Sequence, residues 1–209
     1  PWCAIVAAGY GGRAEAVHIT RGVADFSISL PLVLKDVICM DFQLSEEQIA
    51  LQDSARRFAA ENLLSVAEHI ENTGSPPDAE LLRSYAEMGF LGVNLPEEYG
   101  GLGLSGLDAL ILLEEFGRIS TAVAFPVFES CVGPVCAVER FGTDSLKDRV
   151  IPKVCRGEMQ IAVSMSEPQA GTALTDLATR AEVKNGAVIV NGTKRWCSGG
   201  GHAEGYVVY

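Results

Sequence analysis

Apolar positions recur at helical spacing from about residue 45 to residue 156 and at alternate positions in the last quarter. Ser45 followed by Gln48 has capping-box spacing, with Glu46 and Glu47 in the first turn, where the helix dipole favours acids. Ile49, Ala55, Phe58 and Ala59 then predict one face of a helix, with Arg56 and Arg57 outside the stripe. Asp78 is the expected cap of a second helix, with Leu81, Leu82, Tyr85 and Met88 on one face and Gly89 as its stop. A Pro- and Gly-rich loop follows from Leu95 to Ser105. A third helix is expected over 107–119, an apolar fourth over 121–140, and a fifth capped by Asp144 and running to about Arg156. After Gly157 the period changes to two. Strands are expected at 161–165, 178–184, 187–190 and 206–209. Asn185-Gly186 and Asn191-Gly192 are hairpin-type dipeptides. The expected class is α+β: an all-helical bundle over 40–158, then an incomplete antiparallel β-domain over 159–209.

Composition narrows the function classes. Of 209 residues, 48% are apolar, which excludes a disordered chain. The net charge is −11. Residues 41–160 hold 20 acids against 9 bases, while the two flanking zones each sum to zero. Clustered base is the footprint of nucleic-acid binding, so that partner is not expected. No continuous apolar run reaches the ~18 residues of a membrane span. The six cysteines form no C-x-x-C pair and the three histidines are scattered, so no metal site is expected and the thiols read as reduced and intracellular. Residues 1–39 are Gly/Ala-rich without a period and lack the features of a signal or transit peptide. They read as a poorly ordered upstream segment outside the fold, with Met40 as the natural start. The apolar run at the C-terminal end reads as a strand cut short, so a fragment is expected.

Three stretches invite a chemical reading. Gly101-x-Gly103-x-x-Gly106 matches the dinucleotide fingerprint. That fingerprint needs a buried strand before it and a βαβ unit around it, whereas Pro96, Glu97, Glu98 and Tyr99 precede this one. A tight loop between helices is the better reading. In 164–172 a strand ends at a Glu167-Pro168 turn and a small-residue loop follows, with hydroxyls at Ser166 and Thr172. In 191–201, Trp196 and Ser198 would share one face of a strand, an aromatic plane beside a hydroxyl that suits a flat heterocycle. By spacing alone a core tryptophan is the commoner explanation.

Together these segments resemble the acyl-CoA dehydrogenase family from Met40 onward. The likeness rests on Leu44-Ser-Glu-Glu-Gln48, Met88-Gly-Phe-Leu-Gly92, Pro96-Glu-Glu-Tyr-Gly-Gly-Leu-Gly103, Phe141-Gly-Thr143, Pro152 to Glu158, Ser166-Glu-Pro168 with Ala170-Gly171, and Asn191-Gly-x-Lys-x-Trp196. It implies a helical N-terminal domain, a β middle domain and a further helical C-terminal domain. It also implies FAD as cofactor, an acyl-CoA substrate desaturated to the 2-enoyl-CoA, and electron-transferring flavoprotein as acceptor. A homo-oligomer, a role in fatty acid metabolism and a cytoplasmic location complete the expectation. By this resemblance Val163, Met165 and Ser166 border the isoalloxazine. Gly171 and Thr172 face the pyrophosphate and the CoA thioester arm, Thr172 being the substrate contact. Trp196 and Cys197 belong to the second flavin segment, and the Ser198 hydroxyl lies near flavin N5. The family's Gly-Ser-Asp stands here as Gly171-Thr172-Ala173. The catalytic base implied by the family lies in the C-terminal helical domain, and Glu167 is a turn residue rather than a base. The chain alone is therefore expected to be inactive. Two other readings come with the fold: a flavin-dependent monooxygenase, and a non-catalytic subunit of a heteromeric dehydrogenase.

Overall fold

The computed structural model describes residues 42–185 and 187–209, so the readings for 1–39 and Met40 lie outside the described residues. Ser45–Tyr209 forms one compact unit. The capping box at its start is formed: Ser45 Oγ accepts from the Gln48 N–H at 3.2 Å, and Gln48 Oε1 accepts from the Ser45 N–H at 3.1 Å. From it runs the 28-residue helix α1 (Glu46–Thr73), ended by Gly74 in the left-handed region. Helix α2 (Ala79–Glu87) is capped by the Asp78 carboxylate and followed by Gly89 at φ 75°. Helix α3 (Gly106–Gly117) starts at a second capping box, Ser105 with Asp108, inside the stretch read as loop.

Phe58, Tyr85, Phe90 and Phe116, from α1, α2, a short 3-10 turn and α3, meet with ring centroids 5.1–6.5 Å apart. Around them Ala55, Leu63, Leu112, Val123 and Val127 are fully buried. The Tyr85 hydroxyl donates to the Val123 carbonyl at 2.8 Å, which satisfies the one polar atom the cluster takes inside. Arg56, read as lying outside the buried stripe, grips buried Glu115 of α3 with two hydrogen bonds of 2.9 and 3.1 Å.

The expected fourth helix is broken into α4 (Thr121–Val127), a π-helical turn (Phe128–Val132) and α5 (Pro134–Phe141). Gly133 and Pro134 cause the break, since proline has no N–H to continue the helix and its predecessor is driven out of the helical region. The whole stretch Thr121–Phe141, with mean hydropathy 1.6 over its best window, is long and apolar enough to cross a membrane. That qualifies the expectation of no such segment, although 56% of that window is buried inside the protein. Helix α6 (Asp144–Cys155) is capped by Thr143, one residue before the expected Asp144.

The glycine fingerprint is a tight loop. Leu102, Gly103 and Leu104 donate backbone hydrogen bonds of 2.8–2.9 Å to the carbonyls of Gly92, Leu95 and Val93. A Cβ at Gly101 would collide with the Leu95 carbonyl, which is why the close approach needs glycine.

Four strands follow: β1 (Ile161–Ser164), β2 (Arg180–Lys184), β3 (Ala187–Asn191) and β4 (Gly205–Val208). The class, helices followed by small sheets, is as expected. β2 and β3 form the antiparallel hairpin, with Lys184 opposite Ala187 and Asn185 at φ 53°. β1 and β4, however, pair in parallel, Ile161 opposite Gly205, which corrects the all-antiparallel reading. Forty residues separate the two strands, room enough for the long connection a parallel pair requires. Asn191-Gly192 makes no hairpin: the chain leaves β3 there and runs as a loop to β4.

Candidate functional site

The two segments expected to carry a cofactor meet beside β1. The Arg195 N–H donates to the Ser166 carbonyl at 3.0 Å, and Ser164 Oγ donates to Cys197 Sγ at 3.2 Å. Lys194 Nζ donates to the Met165 carbonyl and to Glu167 Oε1, each at 2.9 Å. Glu167 is the hub. Its carboxylate also accepts from the Ala178 and Thr179 N–H groups at 2.7 and 2.9 Å, from the Thr179 hydroxyl, and from Gln169 Nε2. The Thr179 hydroxyl, the Ala178 N–H and Lys194 together hold this carboxyl down at about 2. With its lone pairs taken, Glu167 is a structural clamp, in keeping with the turn role read from the sequence. Lys194 was quoted there only as part of a motif; its clamp role depends on a contact 27 residues away.

Val163, Met165 and Ser166 are half-buried along β1 and its exit, and Cys197 is half-buried beside them. Ser198 is exposed. Trp196 is not on a strand. It sits in the loop at φ 58° with 75% of its surface exposed, which removes the core-tryptophan reading and the shared strand face with Ser198. The Arg195 guanidinium lies 4.1 Å from its ring centroid and covers one face. A non-glycine residue at positive φ is strained, and such strain clusters at ligand sites. Gly171 and Thr172 lie on an exposed loop, and a Cβ at Gly171 would meet nothing within 4 Å. An exposed aromatic plane, an exposed hydroxyl and an open glycine loop around one ion-paired junction suit a flat heterocycle with a phosphate arm. The residues present therefore fit a flavin nucleotide.

On the helical side of Ser198 lies a cavity of about 400 Å³, walled by Ile70, Ala122, Phe125 and Pro126 and reached by Ser198 and Gly199. Glu129, on the π-helical turn, lines it. This glutamate is 94% buried, and its Oε1 has no hydrogen-bond partner. Burial pushes its carboxyl up to about 7. It was not singled out from the sequence, although it is the one charged residue in 121–138, an acid inside an otherwise apolar helix. The described cysteines, Cys131, Cys136, Cys155 and Cys197, are free thiols. Burial raises the first three, Cys155 to about 11, so they are poor nucleophiles. Among the described residues no group of three or more His, Cys, Asp or Glu is arranged to hold a metal.

Comparison with known proteins matches two family domains in succession. Residues 45–158 match the acyl-CoA dehydrogenase N-terminal domain and residues 162–209 the middle domain. The chain is 38% identical over 165 residues to the mitochondrial isovaleryl-CoA dehydrogenase of Arabidopsis thaliana, covering 78% of this chain and 40% of that one. It thus spans about two-fifths of that curated relative. Among solved structures it is similar to a glutaryl-coenzyme A dehydrogenase in complex with glutaryl-CoA, with a TM-score of 0.75 at 32% identity over 81% of this chain and 43% of that one. A second, described as the FAD complex of PigA, has a TM-score of 0.73 at 27% identity over 81% and 44%. With both domains matched in order over the helical region and the strands that follow it, the chain belongs to the acyl-CoA dehydrogenase family, a family of oxidoreductases.

Proposed function

We propose that this chain is the helical and middle-domain part of an FAD-dependent acyl-CoA dehydrogenase, which converts an acyl-CoA thioester to the 2-enoyl-CoA. The observation that carries the reading is the junction of 163–166 with 194–198. It is closed by the Lys194–Glu167 ion pair and leaves Trp196 and Ser198 exposed, with Ser198 also lining the cavity.

Val163, Met165, Ser166, Trp196, Cys197 and Ser198 would hold the flavin, and Gly171 and Thr172 its pyrophosphate edge and the thioester arm. When bound, FAD supplies the acceptor for the hydride that leaves the β-carbon. The protein's own work is positional. Lys194 fixes the carbonyl of Met165, so the two segments keep one spacing. The cavity excludes water from an acyl chain lying between the helices and the junction. Removing an α-proton from a thioester needs a base together with hydrogen bonds to the carbonyl. Glu167 is unsuited to be that base, since its carboxylate is fully engaged and held at about 2. The base is assigned to the C-terminal helical domain that the family implies.

Electron-transferring flavoprotein as acceptor, homo-oligomeric assembly, a place in fatty acid metabolism and a cytoplasmic location belong to the same proposal. Fractionation that finds the protein in mitochondria, as the printed name of the Arabidopsis relative has it, would replace the last of these. The main test is anaerobic addition of acyl-CoA thioesters to the FAD-loaded full-length protein. Loss of the oxidised flavin absorbance with formation of enoyl-CoA is expected. Tight FAD binding with no bleaching by any thioester would overturn the reading in favour of a monooxygenase or a non-catalytic subunit.

A further inference from the structure

Glu129 stands apart from every other buried acid in the described residues. Glu115 is gripped by Arg56, and Glu167 by Lys194 and Thr179. Glu129 Oε1 has no partner, is buried, and borders the cavity. Gly199 lies against it: a Cβ there would come 3.5 Å from Glu129 Oε1 and would collide with Ala162 at 2.6 Å. The remaining walls combine apolar side chains with Ser75, Thr121, Gln160, Ser198 and His202, and neither lysine nor arginine is among the lining residues. A plain alkyl chain filling this space would leave the carboxyl unsatisfied, at the cost of an unpaired buried polar group. A carboxylate-tipped chain would have to give up its water beside Glu129, with His202 the one basic side chain on the wall.

We infer that Glu129 is a specificity residue that selects a short acyl thioester carrying an uncharged hydrogen-bonding group, such as a hydroxyl, on the part of the chain that lies in the cavity. This rests on the acyl-CoA reading above and deepens it by naming the substrate class. A neutral carboxyl can both donate to and accept from such a group, and burial favours the neutral form.

The test compares three thioesters of equal chain length, 5-hydroxypentanoyl-CoA, pentanoyl-CoA and glutaryl-CoA, on the FAD-loaded full-length enzyme. Dissociation constants by calorimetry are read beside kcat/KM. Wild type is expected to favour the hydroxy thioester over pentanoyl-CoA by about tenfold, the scale of one hydrogen bond, and glutaryl-CoA should be poorest. Glu129→Leu should erase or invert the first ratio, whereas the near-isosteric Glu129→Gln should retain it. An unchanged ratio in Glu129→Leu, with all three thioesters still binding, overturns this assignment alone. Turnover lost equally on every substrate in Glu129→Gln, with binding intact, also overturns it and makes Glu129 a proton-transfer group. Failure of wild type to bind any of the three overturns the acyl-CoA reading, and this assignment with it.

Discussion

In the helical region, four aromatic rings and a shell of fully buried aliphatic side chains make contact at a common centre. In the β segment, both faces of the β2–β3 hairpin are exposed, and Val183 and Val188 are 77% and 66% exposed. What orders the chain there is a charge. Glu167 and Lys194 draw the 165–169, 178–179 and 194–195 segments together. Hydrophobic burial is non-directional and gives the helical region its stability. Hydrogen-bonded ions are directional, and they place the groups that face a ligand. Two of the three buried glutamates among the described residues mark the same divide. Glu167 is satisfied and held at about 2, whereas Glu129, at the border with the helices, is unpaired and pushed to about 7.

The sharpest break of that contrast is Phe116→Ala, which opens a hole at the aromatic centre. A loss of about 4 kcal/mol in denaturant unfolding is expected. Next in size is Glu129→Gln. The folded carboxyl lies above its ordinary 4.5, so it carries no charge penalty below that value and a growing one as pH rises through 7. Glutamine should therefore stabilise the protein by about 3 kcal/mol at pH 8 and by little at pH 4, as thermal melts at the two pH values would report. Glu167 has the opposite sign. Its folded carboxyl lies below 4.5, so its contribution is complete above that value and lost as pH falls toward 2. Limited proteolysis should find the 168–179 loop opening in that acid window before the helices unfold, and Glu167→Gln should already show the open pattern at pH 7. The smallest expected effect is Ser45→Ala, about 1 kcal/mol from the lost cap of α1, checked by the same denaturant titration.

Features written within a few residues were legible. Ser45 with Gln48, Asp78, and the turn at Asn185 follow from local spacing. The segments 163–166 and 194–198, which the structure brings together, were singled out through family resemblance rather than periodicity. What escaped depends on contacts between distant residues. The parallel β1–β4 pair and the Arg56–Glu115 and Lys194–Glu167 ion pairs join residues 27 to 59 apart, which no window of sequence reports. Trp196 was misplaced because alternation of side chains resembles a strand and is blind to a positive φ. Glu129 did leave a signal, a lone acid in an apolar helix, but burial without a partner is visible only once Gly199 and the cavity walls are in place.

In the proposed arrangement the Lys194–Glu167 ion pair aligns both segments expected to hold FAD, while the helical core stands independently. That arrangement is tested most directly by the FAD dissociation constant of Lys194→Met in the full-length protein, read beside its unfolding curve. FAD affinity weakened by about tenfold, the scale of one charge-assisted hydrogen bond, is expected, with the aromatic core's cooperative unfolding retained. Wild-type FAD affinity in a correctly folded Lys194→Met would contradict it.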